Sequence, residues 1–444
     1  MIKAMSLSQK VALNTIVQIV AKAVTVIFGF LTMVILTRSL GSEGYGNYMY
    51  ILTLVVLFGG FADWGTATIG VREAAKDEKR QNLILSNIFL IRLFLALLGG
   101  LVMILSSFYL PLKNTDQLLV RQGILFGSLI LFLFALKASF GIIFQTKLQI
   151  YKLAIADITA SILIFFLSWL FVKQNLGLVY LIIAVVLANV VAVALAAILA
   201  VKTIRFDFRF QWSLVKVFLK ESLPMGAILL LLTLDNKIDT VMLGLMKGSS
   251  AVGIYAVAYR FYDVLILGAA YLMNSLLPVL SRYANSQKRQ GRIKFIYQKS
   301  FDVLLTLGLL VAFLAFSSAS LLVKLITQER FTEFFGSTIV IRILSLAIFL
   351  SYFNHLTGYT IVALGKQRWY FSVASSALVF NALANFFVIP QFSYYGAAIV
   401  TVLTEGLVLL ITSFFVHRLI KVTPTLTEFP KTIVALIKHK GKIF

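Results

Sequence analysis

Long runs of apolar residues, separated by short polar and basic stretches, dominate the chain. A helix that crosses a bilayer needs about 20 such residues, because each residue advances the helix by about 1.5 Å. Twelve runs reach this length, so the pattern predicts an all-α integral membrane protein with twelve transmembrane helices. The predicted spans are 11–36, 45–70, 83–110, 118–144, 151–172, 177–201, 222–246, 251–281, 296–326, 336–363, 369–390 and 394–417.

The turn between the first two runs returns, loosely, 207 residues later. Gly41-Ser-Glu-Gly-Tyr-Gly-Asn-Tyr48 becomes Gly248-Ser-Ser-Ala-Val-Gly-Ile-Tyr255. Its glycines favour a tight external turn with positive φ and a close approach between helices. Because predicted helices 1 and 7 run in the same direction, the two six-helix halves are parallel repeats about an axis along the membrane normal. The predicted organisation is an N-terminal lobe at 1–201, a basic linker at 202–221, a C-terminal lobe at 222–418 and a basic tail at 419–444.

Composition and charge fix the environment and the orientation. The chain is 60% hydrophobic and only 13% charged, whereas soluble domains are about 25% charged. With the N-terminus inside, 27 of the 40 Lys and Arg residues fall on the inner side and seven on the outer side. Lys and Arg accumulate in cytoplasmic loops, so both termini are predicted to be cytoplasmic. The same distribution explains the net charge of +23 without a nucleic-acid partner.

The residue inventory offers no metal or cofactor chemistry. The chain has no cysteine, and its three histidines are scattered without ligand spacing. Disulfides, iron–sulfur clusters and thiolate zinc sites are therefore excluded, and no other metal site is predicted. Coupling to a proton or sodium gradient is the one ionic requirement that stays open.

Polar residues in predicted helix 1 form a stripe along one side. Asn14, Gln18, Lys22 and Thr25 fall within about 80° of one another at 100° per residue. A lysine near mid-span costs about 2.5–3.5 kcal/mol on the insertion scale, so this stripe must face water or protein. It is either the wall of a substrate cavity or a polar seam against a neighbouring helix.

Three acidic residues in the apolar spans are candidates for ion coupling. Asp235 and Asp239 lie one turn apart in predicted helix 7, and Glu405 lies midway along predicted helix 12. Two carboxylates facing one cavity raise each other's proton affinity. The alternative is structural: the aspartates pair with lysine or arginine. Glu405 has no basic residue within a turn, so a partner from Arg342, His355 or Lys137 is expected.

Predicted helices 8 and 10 carry further cavity candidates. Tyr259, flanked by Tyr255 and Tyr262 on one face, is followed by Arg260, and predicted helix 10 contains Arg342 and His355. An aromatic stripe suits stacking on sugar rings, although tyrosines also anchor helices at the membrane interface. Arg260 either faces a cavity or pairs with Asp263.

Three segments resemble the polysaccharide transporter family: Ile35-Leu-Thr-Arg-Ser-Leu-Gly-Ser-Glu-Gly-Tyr-Gly-Asn-Tyr48, Gly60-Phe-Ala-Asp-Trp-Gly65 and Val71-Arg-Glu-Ala-Ala75. The members of this family are Wzx-type flippases, and they belong to the superfamily that also contains multidrug extruders and lipid II flippases. The resemblance implies two helix bundles in a V shape that move an undecaprenyl-diphosphate-linked oligosaccharide across the bacterial cytoplasmic membrane by alternating access. It further implies surface polysaccharide synthesis, such as O-antigen or capsule, alongside polymerase and chain-length proteins.

Two other functions compete with this expectation. A cation-coupled multidrug extruder of the same superfamily would have a similar helix pattern, and the balance of basic and acidic residues in the spans does not separate the two. A membrane polymerase or ligase of the same pathway needs a sizeable external loop, whereas the predicted external loops are short. With no catalytic constellation in the sequence, a transporter rather than an enzyme is expected.

Overall fold

The protein is almost entirely helical in a computed structural model that describes residues 7–77, 79–109, 112, 116–204, 206–207, 209–284, 290–426 and 429. Every regular element in these residues is a helix. The helices are α1 (Leu7–Asp63), α2 (Thr66–Lys76), α3 (Gln81–Tyr109), α4 (Gln117–Thr146), α5 (Tyr151–Lys173), α6 (Leu178–Val201), α7 (Trp212–Asp235), α8 (Ile238–Lys247), α9 (Ser249–Leu265), α10 (Leu267–Ala284), α11 (Gln290–Thr327), a 3-10 turn (Gln328–Arg330), α12 (Phe335–Ala363) and α13 (Gln367–Ile420).

Two of the long helices each contain a sharp break, and the breaks reconcile the structure with the predicted spans. In the described residues, ten segments are long and apolar enough to cross a membrane. The break in α1 is at Gly41 (φ 69°) and the break in α13 is at Ser393 (φ 52°). Each of these helices therefore supplies two spans, so the prediction of twelve transmembrane helices is confirmed.

The chain forms two compact units, Met1–Gly253 and Ile254–Phe444. In the first unit, α6 packs against α4 and α5 through a row of alanines. Ala192, Ala196 and Ala200 are fully buried at a spacing of four residues, and such small side chains let membrane helices approach closely. In the second unit, α12 is central and packs against α10, α11 and α13. The lobe boundaries at 201 and 222 stay a prediction.

Predicted helices 7 and 8 are each divided. α7 ends at Asp235 and α8 begins at Ile238, because Lys237 leaves the helical region with φ −130° and ψ −12°. The single spans predicted at 222–246 and 251–281 are therefore wrong in this detail, since α9 ends at Leu265 and α10 begins at Leu267.

The span predicted at 45–70 ends early, for a reason that lies in its packing. Trp64 and Gly65 have φ values of 45° and 70°, which end α1 before α2 begins. A Cβ atom on Gly65 would lie 2.5 Å from the amide nitrogen of Gly226, and one on Gly226 would lie 2.8 Å from the backbone of Trp64. The break thus allows direct backbone contact between this turn and α7.

The predicted linker is fastened to the N-terminal part of α3. The Asn87 side chain donates to the Arg209 carbonyl at 3.0 Å and accepts from the Gln211 amide at 2.9 Å. Phe206 packs edge-on against Phe89 with 6.0 Å between the ring centroids. The amide nitrogen and the amide oxygen of the buried Asn87 therefore both hold the extended segment that leads into α7. Most of the predicted basic tail at 419–444 lies outside the described residues.

Candidate functional site

The polar stripe of α1 divides into a structural and an exposed part. Asn14 is buried, and its amide donates to the carbonyl of Leu148 at 2.7 Å. Leu148 lies in the α4–α5 turn with φ 55°, so this bond ties the start of α1 to that turn. Gln18 donates to the Asn14 carbonyl at 3.2 Å but is otherwise exposed. Asn14 therefore fits the structural interpretation of the stripe, in which its polar groups hold α1 to a neighbouring part of the protein.

Lys22 is the exposed cation of the stripe. Its side chain forms no ion pair with any residue that the structure describes, and Thr25 only donates to the Lys22 carbonyl at 2.9 Å. Four exposed apolar side chains of this half of α1 lie about 120°–180° around the helix from Lys22, whereas the exposed Ile19 lies about 60° from it. The four are Ile16, Val20, Ile27 and Leu31. Lys22 therefore lies at the edge of the polar stripe, opposite most of the exposed apolar surface.

The two repeated turns contact each other in the structure. Gly41 and Gly248 have nearly the same backbone conformation, with φ 69°, ψ −172° and φ 91°, ψ −176°. A Cβ atom on Gly46 would lie 1.8 Å from the Ser249 carbonyl oxygen, and one on Gly253 would lie 2.0 Å from the Ser42 carbonyl oxygen. Glycine is therefore required at both positions for the backbones to meet.

Side chains reinforce this contact. Ser249 donates to the Asn47 side-chain oxygen at 2.5 Å, and the hydroxyls of Ser42 and Ser250 are 2.9 Å apart. The close helix approach predicted from the glycines is therefore present, and its partner is the repeat of the same motif. The repeat was detectable in the sequence, but its self-contact was not predicted.

Glu405 is held by neutral donors. Its carboxylate accepts hydrogen bonds from the Tyr262 hydroxyl and from the Asn354 side chain, which also donates to the Glu405 carbonyl at 2.9 Å. No Lys, Arg or His of the described residues forms an ion pair with it. The predicted partners are therefore wrong: Lys137 instead pairs with Asp157 at 2.8 Å.

The other two predicted partners of Glu405 are also engaged elsewhere. Nδ1 of His355 is 2.7 Å from the Ser351 carbonyl, and its ring stacks on Tyr359 with 6.3 Å between centroids. The Arg342 guanidinium lies 5.6 Å from the centre of the Phe316 ring and is exposed. Asn354, adjacent to His355, was the missed residue, and an amide in an apolar span was its available signal.

The tyrosine stripe of α9 is a buried ladder. Tyr255, Tyr259 and Tyr262 are 0%, 7% and 3% exposed, with successive ring centroids 5.2 and 5.1 Å apart. The Tyr255 hydroxyl is 3.2 Å from that of Thr401. The three rings therefore share one face, and of the three it is Tyr262 that donates to the Glu405 carboxylate. Their burial does not suit anchoring at the membrane interface. Arg260 follows on the same helix and is partly buried.

Asp235 and Asp239 do not share a helical face. The break at residues 236–237 separates them, with Asp235 partly buried at the end of α7 and Asp239 1% exposed in the first turn of α8. The prediction of a carboxylate pair at i and i+4 on one helical face is therefore wrong, although both residues lie next to this break.

Two arginines of the first unit are paired with carboxylates. Arg92, 3% exposed, binds the Asp63 carboxylate and lies 3.0 Å from the Thr66 hydroxyl. Arg72 at the end of α2 pairs with Glu221 on α7. Because these pairs neutralise their members, they leave Lys22 as the better candidate for binding an anion. Within the described residues, no group of three or more His, Asp or Glu side chains is arranged to hold a metal ion.

Comparison with protein families gives two matches. Residues 11–284, more than half of the chain, match the family described as polysaccharide biosynthesis protein. Residues 224–387 match the family described as MatE. Comparison with curated protein sequences gave no match.

Solved structures of low sequence identity share the fold. The lipid II flippase MurJ, in an inward closed conformation, has a TM-score of 0.74 and 16% identity, covering 94% of this chain and 89% of its own. An inward-facing MATE family multidrug transporter of the MOP superfamily has a TM-score of 0.70 and 15% identity, covering 90% and 96%. A MOP superfamily transporter from Pyrococcus furiosus has a TM-score of 0.60 and 15% identity, covering 93% and 96%.

Proposed function

The chain belongs to the polysaccharide biosynthesis protein family, and from that membership we propose that it is a flippase for a lipid-linked oligosaccharide. Its cargo is an undecaprenyl-diphosphate-linked repeat unit, carried from the inner to the outer leaflet of the bacterial cytoplasmic membrane. The family match is the observation that carries the proposal, because it covers the first unit and the turn at which the repeats meet. Both termini are cytoplasmic in this proposal.

Lys22 supplies the chemistry that such a cargo needs. A diphosphate cannot leave water for hydrocarbon unless other charges or donors replace its hydration. An exposed ammonium without an ion-pair partner among the described residues, opposite most of the exposed apolar side chains of this half of α1, is suited to that exchange. Gln18 and Thr25 add polar groups within about two turns of Lys22. Arg260, Arg342 and His355 stay secondary candidates for cargo binding.

Glu405 is the proposed coupling group. An ionised carboxylate in a membrane interior is costly without a basic partner, and its described partners, Tyr262 and Asn354, are neutral. Uptake of a proton removes that charge. Loading and release of a proton at Glu405 can therefore bias the conformations of the second unit, whereas the divided positions of Asp235 and Asp239 make them weaker candidates.

A reconstituted transport assay tests the function. Purified protein in liposomes that contain a fluorescent undecaprenyl-diphosphate oligosaccharide in the inner leaflet should expose that lipid to an external glycosidase. A lipid-free cationic dye serves as the competing cargo, since the match to MatE over residues 224–387 makes drug extrusion the second candidate. Gradient-driven dye transport without flipping would replace the proposal with extrusion.

A cellular readout addresses the remaining alternative. Deletion of a flippase leaves completed repeat units on the inner leaflet, whereas deletion of a polymerase leaves them on the outer leaflet. We expect the inner-leaflet outcome, with surface polysaccharides such as O-antigen or capsule lost and any polymerase and chain-length proteins deprived of substrate.

A further inference from the structure

An apolar groove lies in the first unit between α1, α3 and α7. It encloses about 600 Å³. Phe58 and Phe61 line it from α1, Leu98 from α3, and Leu219 and Leu223 from α7. Such a lining accepts a hydrocarbon chain and rejects a sugar or a free ion.

One of the lining residues, Gly99, has no side chain to fill the groove. A Cβ atom there would lie in ordinary contact with the Phe58 carbonyl oxygen at 3.5 Å, so α1 and α3 approach each other closely beside the groove. Phe61, Leu98 and Leu223 are still 37%, 48% and 49% exposed. Their exposure shows that the groove is open along its side, where lipid surrounds a membrane protein.

A pair of lysines lies next to the groove on α7. At 100° per residue, Lys216 and Lys220 occupy the same sector of about 100° as Leu219 and Leu223. Both lysines are exposed and neither forms an ion pair with a described residue. Lys216 lies 5.7 Å from the Trp212 ring centroid, and tryptophan favours the membrane interface. One face of α7 thus carries cations at its start and an apolar groove one turn later.

From this arrangement we propose that the groove binds an acyl chain of an anionic glycerophospholipid, whose phosphate lies between Lys216 and Lys220. The charge pattern favours an anionic headgroup, because a lipid with no net charge gains less from the lysines. The part of α3 that lines the groove, from Leu95 to Val102, is about 10 Å long. That length fits within the 15 Å or so of one leaflet. In this proposal the lipid is a resident of the site and not the transported cargo.

Native mass spectrometry of the full-length protein in detergent tests this site. The probes are phosphatidylglycerol and phosphatidylcholine with identical chains. Phosphatidylglycerol should bind more tightly, and Lys216→Gln combined with Lys220→Gln should weaken it about 30-fold while leaving phosphatidylcholine unchanged. The matched control, Lys366→Gln with Arg368→Gln, removes two exposed charges elsewhere and should leave both affinities unchanged.

Filling the groove tests the chain site separately. Leu98→Trp should abolish tight binding of both lipids, whereas Leu97→Trp, on an exposed neighbouring position outside the lining, should not. Leu223→Trp provides a second filling variant, and thermal unfolding in detergent confirms that each variant is folded. Equal binding of the two headgroups, or wild-type binding by both filling variants, would overturn the proposal. One-for-one displacement of phosphatidylglycerol by a polyprenyl diphosphate would assign the groove to cargo instead, and none of these outcomes depends on a transport assay.

Discussion

The hypothesis that the cargo carries an anionic diphosphate can be tested at one side chain, that of Lys22. Lys22→Gln should lower flipping of the diphosphate-linked lipid at least tenfold, because the cavity loses the charge that replaces hydration, whereas Lys22→Arg should retain most of it. Flipping in liposomes is the measurement, with insertion checked by surface expression. Gln18→Leu is a matched neighbour that removes polarity without charge and should have a smaller effect. Full activity of Lys22→Gln would return the residue to a structural role.

Glu405 makes a separate prediction about coupling. Glu405→Gln keeps the size of the side chain and one of its two acceptor oxygens but cannot ionise, so flipping should continue at a basal rate and lose its response to an imposed proton gradient. Tyr262→Phe removes one donor to the carboxylate and should alter the pH dependence without abolishing flipping. The check is initial rate against gradient size. A normal gradient response in Glu405→Gln would exclude this residue as the coupling group.

At this scale the sequence indicates which residues are unusual but not what they contact. Glu405 is recognisable as an intramembrane acid, yet its partners Tyr262 and Asn354 are 143 and 51 residues away. Arginine, lysine and histidine were the expected partners because opposite charge is the simplest compensation. The neutral donors Tyr262 and Asn354 compensate the Glu405 charge by hydrogen bonding instead. Only the packing of α9, α12 and α13 brings these three residues together.

Among the elements, the turn at Gly46 is the most sensitive to size. Gly46→Ala should destabilise the protein by about 1–3 kcal/mol, since the added Cβ would overlap the Ser249 carbonyl oxygen at 1.8 Å. Gly59→Ala on the same helix is the control, because its Cβ would meet nothing within 4 Å and alanine favours the helix. Thermal unfolding in detergent should separate them by several degrees. Equal melting temperatures would mean that the two turns do not stay in contact in the detergent-solubilised protein.

Element positions were more predictable than element continuity. Apolar runs located all twelve spans, since a bilayer imposes their length. The division between α7 and α8 falls at the polar residues Asp235, Asn236 and Lys237, and hydropathy does not distinguish such a break from polar residues inside a continuous span. The break at Trp64 depends on contact with Gly226, which no local signal reveals.

For the whole molecule, orientation is the testable property. The chain has no cysteine, so single cysteines can be introduced without a background. Lys366→Cys should react with an impermeant maleimide only when the inner side is accessible, and Gln174→Cys only when the outer side is accessible. Both side chains are exposed, and the unmodified protein is the unlabelled control. Labelling of both from one side would contradict the orientation derived from the basic loops.

The contact between the repeated turns has a consequence for how this chain evolves. Gly46 lies against the Ser249 carbonyl, and Gly253 lies against the Ser42 carbonyl. Each copy of the turn therefore contributes the same two groups to the contact, a glycine and a serine carbonyl. This reciprocity is the property of an isologous dimer interface, now encoded within a single polypeptide. A bulky residue accepted in one copy must be accommodated by its counterpart, and we expect the two glycines to change together in descendants of this gene or to remain fixed.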